Sequence, residues 1–438
     1  MDSLNRDILR LSLPAIASNV TVPLLGLCDT AISGHLGSEL FLASIAVGTV
    51  MLNVVFWMFG FLRGGTTGLT ANALGASDYK EVGKVLCRGL FIALIAGVAL
   101  IAAQRPLFAF LSLVAGQGSD IDSYVRQYFN LRIWGSPALL ATMAISGWFV
   151  GMQSTLYPMI IAIAMNVVNI AVSFLLVFPC GMGFPGVAAG TLISNWTGLA
   201  IALACLWFFK RGLPVRFVFS GVFHGGLWRY FSVNGNLFLR SFFIICVTMG
   251  VTAAGARLGT LVLAVNVIVM QFFQFFSFFM DGFAFSGEAI IGLRAGQGDL
   301  EMLGKSFRRL LQWTLGVGLC FTVLYFTAGG KVAALLTDSP EVVGMIGDVR
   351  LFIGLIPIVS CWAFIYDGFY IGLTDTWQMM ISTLLGGVAF FMLAFTNIAA
   401  PGGHMAFGVV SNEMIWTGFL AYLFVRGAWL ALMFRRAI

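Results

Sequence analysis

The sequence predicts an all-α membrane protein of 12 transmembrane helices in two six-helix lobes. Three observations predict it. The 438 residues are 60% hydrophobic and 10% charged, whereas soluble domains carry about 25% charged residues. The apolar runs are about twenty residues long and unbroken, the length of a helical span; barrel strands would alternate polar and apolar residues in stretches of about ten. Finally, the second half repeats motifs of the first.

The first span, 11–32, reads LSLPAIASNVTVPLLGLCDTAI, with Asp29 as its only charged residue. Arg6 and Arg10 precede it, and it is too long for the apolar core of a cleavable signal. Runs bounded by charges, Gly or Pro place five further spans near 42–62, 86–103, 127–150, 157–178 and 186–209. A polar connector, 210–229, separates this first lobe (1–209) from a second (230–438). The second lobe has spans near 232–255, 262–290, 310–328, 348–371, 377–397 and 405–426.

The repeat fixes how the halves correspond. Leu36-Gly37 after span one matches Leu258-Gly259 after span seven. Gly75, Asp78, Gly83, Lys84 and Arg88 match Gly296, Asp299, Gly304, Lys305 and Arg309, all at an offset of 221. A six-span unit begins and ends on one side of the membrane. The halves therefore share a topology, and a pseudo-twofold axis along the membrane normal is expected to relate them.

Lys and Arg set the orientation. With the N-terminus inside, 17 fall on inner segments, including Arg88, Arg309 and Arg426, and five on outer ones; Arg132 and Arg240 are intramembrane. Both termini are expected in the cytoplasm, and the location is the plasma (bacterial inner) membrane. The net charge of +6 reflects these loops; without a compact basic stripe, nucleic acid is not an expected partner. The seven cysteines have no paired spacing and the three histidines lie far apart, so no disulfide framework or metal set is expected. No phosphate-binding loop, zinc motif, nucleophile elbow or redox pair occurs, so the chain is read as a non-enzyme that works without a cofactor. A duplicated bundle with buried carboxylates and no catalytic signature points to a secondary transporter.

The polar residues inside the spans then matter most. A carboxylate near hydrocarbon costs roughly 2.5–3.5 kcal/mol on insertion scales, so Asp29 is the first candidate for a proton or cation site. On span five, Asn166, Asn169 and Ser173 share a helix face. Span six carries Thr191, Ser194 and Asn195 and is expected to pair antiparallel with span five. Oxygens of Asp29, Asn169, Ser173 and Thr191 would make a hard-oxygen pocket for a proton or small cation. The competing reading is that Asn, Ser and Thr glue helices together, at around 0.6 kcal/mol a contact; it is preferred for Asn166, Ser194 and Asn195. In the second half, Arg240 with Asp281 or Glu288 is expected as a structural ion pair, because an unpaired buried charge is very costly. Asp367, in CWAFIYDGFYIG, has no nearby cation in sequence and is a candidate for a cavity-facing polar site. Pro14, Pro23 and Pro357 lie within spans, where they can kink a helix.

The segments SNVTVPLLGLCDTAISGHLG, FLRGGTTGLTANALGA, MDGFAFSGEA and YDGFYIG resemble those of the multidrug and toxic compound extrusion (MATE) family, in particular its DinF-like branch, and the resemblance runs nearly end to end. It implies a V-shaped pair of six-helix lobes. It also implies export of organic compounds, often cationic and amphipathic, in exchange for H⁺ or Na⁺ by alternating access. A coupling pocket in the first lobe maps onto Asp29, Asn169 and Thr191, where Na⁺ binding is also possible. Relatives often have a second aspartate four residues after the asparagine; here Ser173 stands there, which leaves one carboxylate and favours H⁺. Asn236 likewise stands where DinF-like relatives tend to be acidic. The expected partners are small organic substrates, the coupling ion and membrane lipid, with the protein acting as a monomer. The alternative is a lipid-linked oligosaccharide flippase of the same superfamily. It needs a more basic cavity than Arg132 and Arg240 provide.

Overall fold

The computed structural model describes residues 3–35, 39–115, 119–211, 214–215, 227–337, 339–397, 406–407 and 411–437. The first half contains α1 (Ser3–Gly34), α2 (Glu39–Met58), α3 (Phe61–Gly75), α4 (Tyr79–Ala102), α5 (Gln104–Ala115), α6 (Ser119–Arg132), α7 (Ser136–Gly151), α8 (Leu156–Val177) and α9 (Phe184–Lys210). The second contains α10 (Leu227–Leu258), α11 (Thr260–Gln297), α12 (Leu300–Leu336), α13 (Pro340–Asp348), α14 (Arg350–Leu373), α15 (Thr376–Phe395) and α16 (Asn412–Ala437). A two-residue pairing of β1 (Thr396–Asn397) with β2 (Ala406–Phe407) precedes α16. Among the described residues, 11 helical stretches are long and apolar enough to cross a membrane. The first expected span lies in α1, many of whose side chains fall outside the described residues.

Several boundaries differ from expectation for identifiable reasons. The second span continues through α3 as one apolar stretch, Glu39–Gly75, because the Gly and Thr residues of α3 are buried against neighbours. The fourth breaks into α6 and α7 at a 3-10 turn, Ile133–Gly135, and Pro137 opens α7, where its missing N–H is harmless. The twelfth starts at Asn412, not near 405. Ser411 Oγ accepts from Met414 N at 3.3 Å as an N-terminal cap, and Ala406–Phe407 is spent on the β pairing.

The repeat is also visible in the backbone, within each half separately. Asp78 caps α4, accepting from Glu81 N at 2.9 Å, and Asp299 caps α12, accepting from Met302 N at 2.9 Å. The residue before each cap is left-handed, Ser77 at φ 57° and Gly298 at φ 71°, and a second such pair, Gln153 at 63° and Thr374 at 61°, ends α7 and α14. Gly147 and Gly368 mark a matching pair of close helix contacts. A Cβ on Gly147 would lie 2.9 Å from Arg63 Cα, and one on Gly368 would lie 2.9 Å from Ala284 Cα. All these pairs keep the 221 offset, so α3 against α7 and α11 against α14 use one packing solution twice. Leu36 and Gly37, part of the sequence match, lie outside the described residues.

By its contacts the chain divides into Leu13–Phe231 and a second unit of Met1–Ser12 with Ser232–Ile438. In the former, α7 packs on α3, α4 and α9, and α8 packs on α9. In the latter, α14 packs on α11, α12 and α16, and α15 packs on α16. The first turns of α1 go with the second half: Ser12 Oγ donates to Ser286 Oγ at 2.9 Å and Trp313 Nε1 to Asn5 Oδ1 at 3.1 Å. Residues 212–213 and 216–226 of the connector lie outside the described residues.

Candidate functional site

In the Leu13–Phe231 unit the site is built on α8 and α9. Small residues recur every fourth position on α9, at Gly186, Gly190, Ser194 and Gly198, the pattern that lets membrane helices approach closely. A Cβ on Gly190 would lie 2.8 Å from Ser173 Cα, so this glycine admits the α8 backbone and brings Ser173 to the interface. One turn away, Asn169 Nδ2 donates to Thr191 Oγ1 at 3.0 Å, and Thr191 Oγ1 donates to Val187 O at 3.2 Å. Asn169, Ser173 and Thr191 are all buried. Among the described residues, Asn169 Oδ1 and Ser173 Oγ nevertheless have no hydrogen-bond partner. Two orphaned oxygens in one buried cluster are costly, and oxygens are what a proton donor or hard cation takes up.

Of the four residues expected here, the structure brings together Asn169, Ser173 and Thr191. Asp29 lies in α1, and its side chain is outside the described residues. Asn166 extends the cluster toward α1, donating from Nδ2 to Thr21 Oγ1 at 2.8 Å. Ser194 donates to Met165 O at 2.6 Å. Both therefore tie helices together, as the gluing interpretation expects.

The second unit holds a charged cluster. Asp367 on α14 is 4% exposed. Its Oδ2 accepts from Arg240 on α10 and from Arg426 on α16, the latter at 2.6 Å. Arg426 Nη1 also donates to Tyr422 OH at 3.0 Å. Gly386 on α15 makes room for this arrangement, since a Cβ there would meet Tyr422 O at 2.8 Å and Arg426 Cγ at 3.1 Å. Beside Asp367, Gly368 lets α14 rest on α11. Among the described residues, Asp367 Oδ1 and the Nε atoms of both arginines are buried without partners. The cluster sums to one formal positive charge.

This corrects two expectations. Arg240 pairs with Asp367, not with Asp281 or Glu288. Helix spacing shows which residues share a face of one helix, but not which residue of another helix lies opposite. Glu288 is buried and Asp281 half-buried on α11; both have interactions of their own. Arg426 is not on an inner flank. It lies inside α16 at 6% exposure, because that helix begins and ends later than expected. The apolar run resumes after Arg426 as GAWLALMF, and a charge with apolar sequence on both sides was the available signal. Arg88 is buried in α4 and paired to Glu81 at 2.5 Å. Arg132 lies in the apolar stretch Ile121–Gly151 and donates to Tyr128 OH at 2.8 Å and Thr49 Oγ1 at 3.3 Å.

Comparison with known proteins places these features. The MatE family model matches residues 14–175 and 237–396. DNA damage-inducible protein F of Escherichia coli is 31% identical, with 100% of this chain and 93% of that protein covered. A probable multidrug resistance protein NorM of Thermotoga maritima is 24% identical over 97% of this chain and 93% of its own. Among solved structures, a crystal structure of MATE in complex with MaD3S matches with a TM-score of 0.85 at 16% identity, covering 99% of this chain and 96% of that one. The architecture is thus the 12-helix, two-lobe MATE fold.

Proposed function

Because the chain belongs to the MatE family of multi-pass membrane transporters, we propose that it is a secondary antiporter exporting organic, often cationic and amphipathic compounds in exchange for inward H⁺. Asp29 carries the proton, and Asn169, Ser173 and Thr191 form its polar surround. The observation that carries this reading is the pair of buried, unpartnered oxygens, Asn169 Oδ1 and Ser173 Oγ, in a cluster with no charge of its own. Helix register supports Asp29 as the missing member. Asn166 of α8 bonds Thr21 of α1, and both helices cross in the same direction in the expected topology. Asp29 is eight residues beyond Thr21, about 12 Å along the axis, and Ser173 seven beyond Asn166, about 10 Å. The Asp29 backbone therefore stands level with Ser173.

In the proposed cycle, outside H⁺ neutralises Asp29, its hydrogen bonds rearrange, and α1 bends, with Pro23 six residues earlier as the pliable point. Substrate leaves as the unit contracts, and the proton is released inside. One carboxylate among neutral oxygens suits one exchangeable proton better than a Na⁺ cage, which Ser173 deprives of a second acid. The protein acts as a monomer in the plasma membrane with both termini cytoplasmic; moving Arg426 out of the inner tally leaves the Lys/Arg bias in the same direction. The flippase reading would need uncommitted intramembrane cations, and Arg240 and Arg426 are both engaged with Asp367.

The test is dye efflux from proteoliposomes under a pH gradient and, separately, a Na⁺ gradient. The pH gradient alone should drive efflux, and Asp29→Asn should abolish it. Efflux at the native rate in that variant ends the proposal, and efflux driven only by Na⁺ replaces the ion.

A further inference from the structure

The helix α12 carries a feature that transport does not use. Lys305, Arg308 and Arg309 cluster near its start, and no charged residue occurs from Leu310 to Gly330. The cations therefore stand where the apolar span begins. Two recesses run along this side of the helix. One, of about 380 Å³, is lined by Lys305, Arg308, Arg309 and Gln312 together with Ser3, Leu4 and Met302. The other, of about 410 Å³, shares Arg309 and Gln312 and continues past Trp313, Gly316 and Val317 to Cys320. Their shared residues make them one groove, basic at one end and apolar at the other. A Cβ on Gly316 would meet nothing within 4 Å, so the apolar end is open. Trp313 is held by its bond to Asn5.

The two halves differ at the position of the basic end. Arg88, the counterpart of Arg309, is turned inward and neutralised by Glu81. The residue matching Glu81 in the second half is Met302, which lines the groove. Lys305 pairs with the solvent-exposed Glu301, a contact of little worth in water. From Arg309 to Cys320 the groove runs about 16 Å along the helix, close to the ~15 Å depth of hydrocarbon in one leaflet.

We propose that this groove binds an anionic glycerophospholipid, with the phosphate among Lys305, Arg308 and Arg309 and an acyl chain along Trp313, Gly316 and Val317. Positive charge recognises the headgroup, and the apolar floor distinguishes a lipid from free phosphate. The site lies within one unit and does not depend on the transport reading.

The full-length protein in neutral detergent, titrated with phosphatidylglycerol or phosphatidylcholine and read by native mass spectrometry, tests this. The wild type should prefer phosphatidylglycerol at least tenfold. Lys305→Gln/Arg308→Gln/Arg309→Gln should lower phosphatidylglycerol affinity roughly a hundredfold, whereas the charge-matched control Lys80→Gln/Arg126→Gln/Arg257→Gln should keep it. Gly316→Trp, which fills the apolar end and keeps every charge, should lower it about tenfold. Equal binding of the two lipids overturns the proposal. So does an unchanged triple variant, an equal loss in the control, or displacement of the lipid by glycerol phosphate at matched concentration.

Discussion

The two halves share a frame and differ in what they bury in it. Between α3 and α7, Thr67 donates to Gly147 O at 3.1 Å; at the matching position between α11 and α14 stands buried Glu288. Ser146 on α7 corresponds to Asp367 on α14. At these matched positions the first half thus keeps neutral hydrogen-bonding groups, and its candidate site on α8 and α9 has oxygens left over among the described residues. The second half has charges, and Asp367 has both its cationic partners inside its own unit. Identical backbone contacts do not dictate identical polar chemistry. A site for a passing proton needs an acceptor whose partners are missing, whereas Asp367 sits between two guanidiniums and so links α10, α14 and α16.

Asp367→Ala should break this contrast most sharply. It strands two buried arginines, which costs about 3–5 kcal/mol, and thermal unfolding in detergent should show a large loss. Asp29→Asn should leave the same transition nearly unmoved while efflux disappears. Replacing Asp367 and Arg426 together with Leu and Met should recover part of the stability. If the double variant is no better than the single one, the cluster is not a mutually compensating unit.

Gly190→Leu has a smaller expected effect. It forces a side chain against the Ser173 backbone and should cost about 1–3 kcal/mol through overpacking, with H⁺-driven efflux falling alongside stability. Unchanged melting would mean that α8 and α9 are not held by this contact.

The smallest effect concerns the turn after each fourth span. Ser154 N donates to Phe149 O at 2.9 Å, and its counterpart Asp375 N donates to Tyr370 O at 3.1 Å. Burial pushes the Asp375 carboxyl above its ordinary value, partly offset by a backbone bond from Gln378. The unfolded chain therefore ionises this group first. Its contribution favours the fold at low pH and is lost as pH rises from the ordinary carboxylate value through the raised one. Melting temperature measured across that window should decline slightly in the wild type, and Asp375→Asn should flatten the slope. The serine-bearing turn of the first half has no such term.

Much of this was legible in the chain. Long apolar runs had to become helices because lipid offers the backbone no other partner, and spans five and six agree with α8 and α9 within two residues. The i, i+3 and i+7 spacing of Asn166, Asn169 and Ser173 put them on one face before any contact was known. Span ends were harder to read. Small residues in α3 extend a helix that composition would stop, and in α16 a capping serine starts one later than hydropathy suggests.

The sequence by itself determined the all-helical membrane fold class, the duplication at 221 residues and the shared face of the candidate site, since all of these follow from local periodicity and composition. Only the tertiary structure decided which charges meet. Asp367 and Arg426 are 59 residues apart and Asp367 and Arg240 127 apart, on three separate helices. Whether a buried acid is satisfied or left wanting depends on what packs across from it, and side-chain pairing between helices has no period to read along the chain.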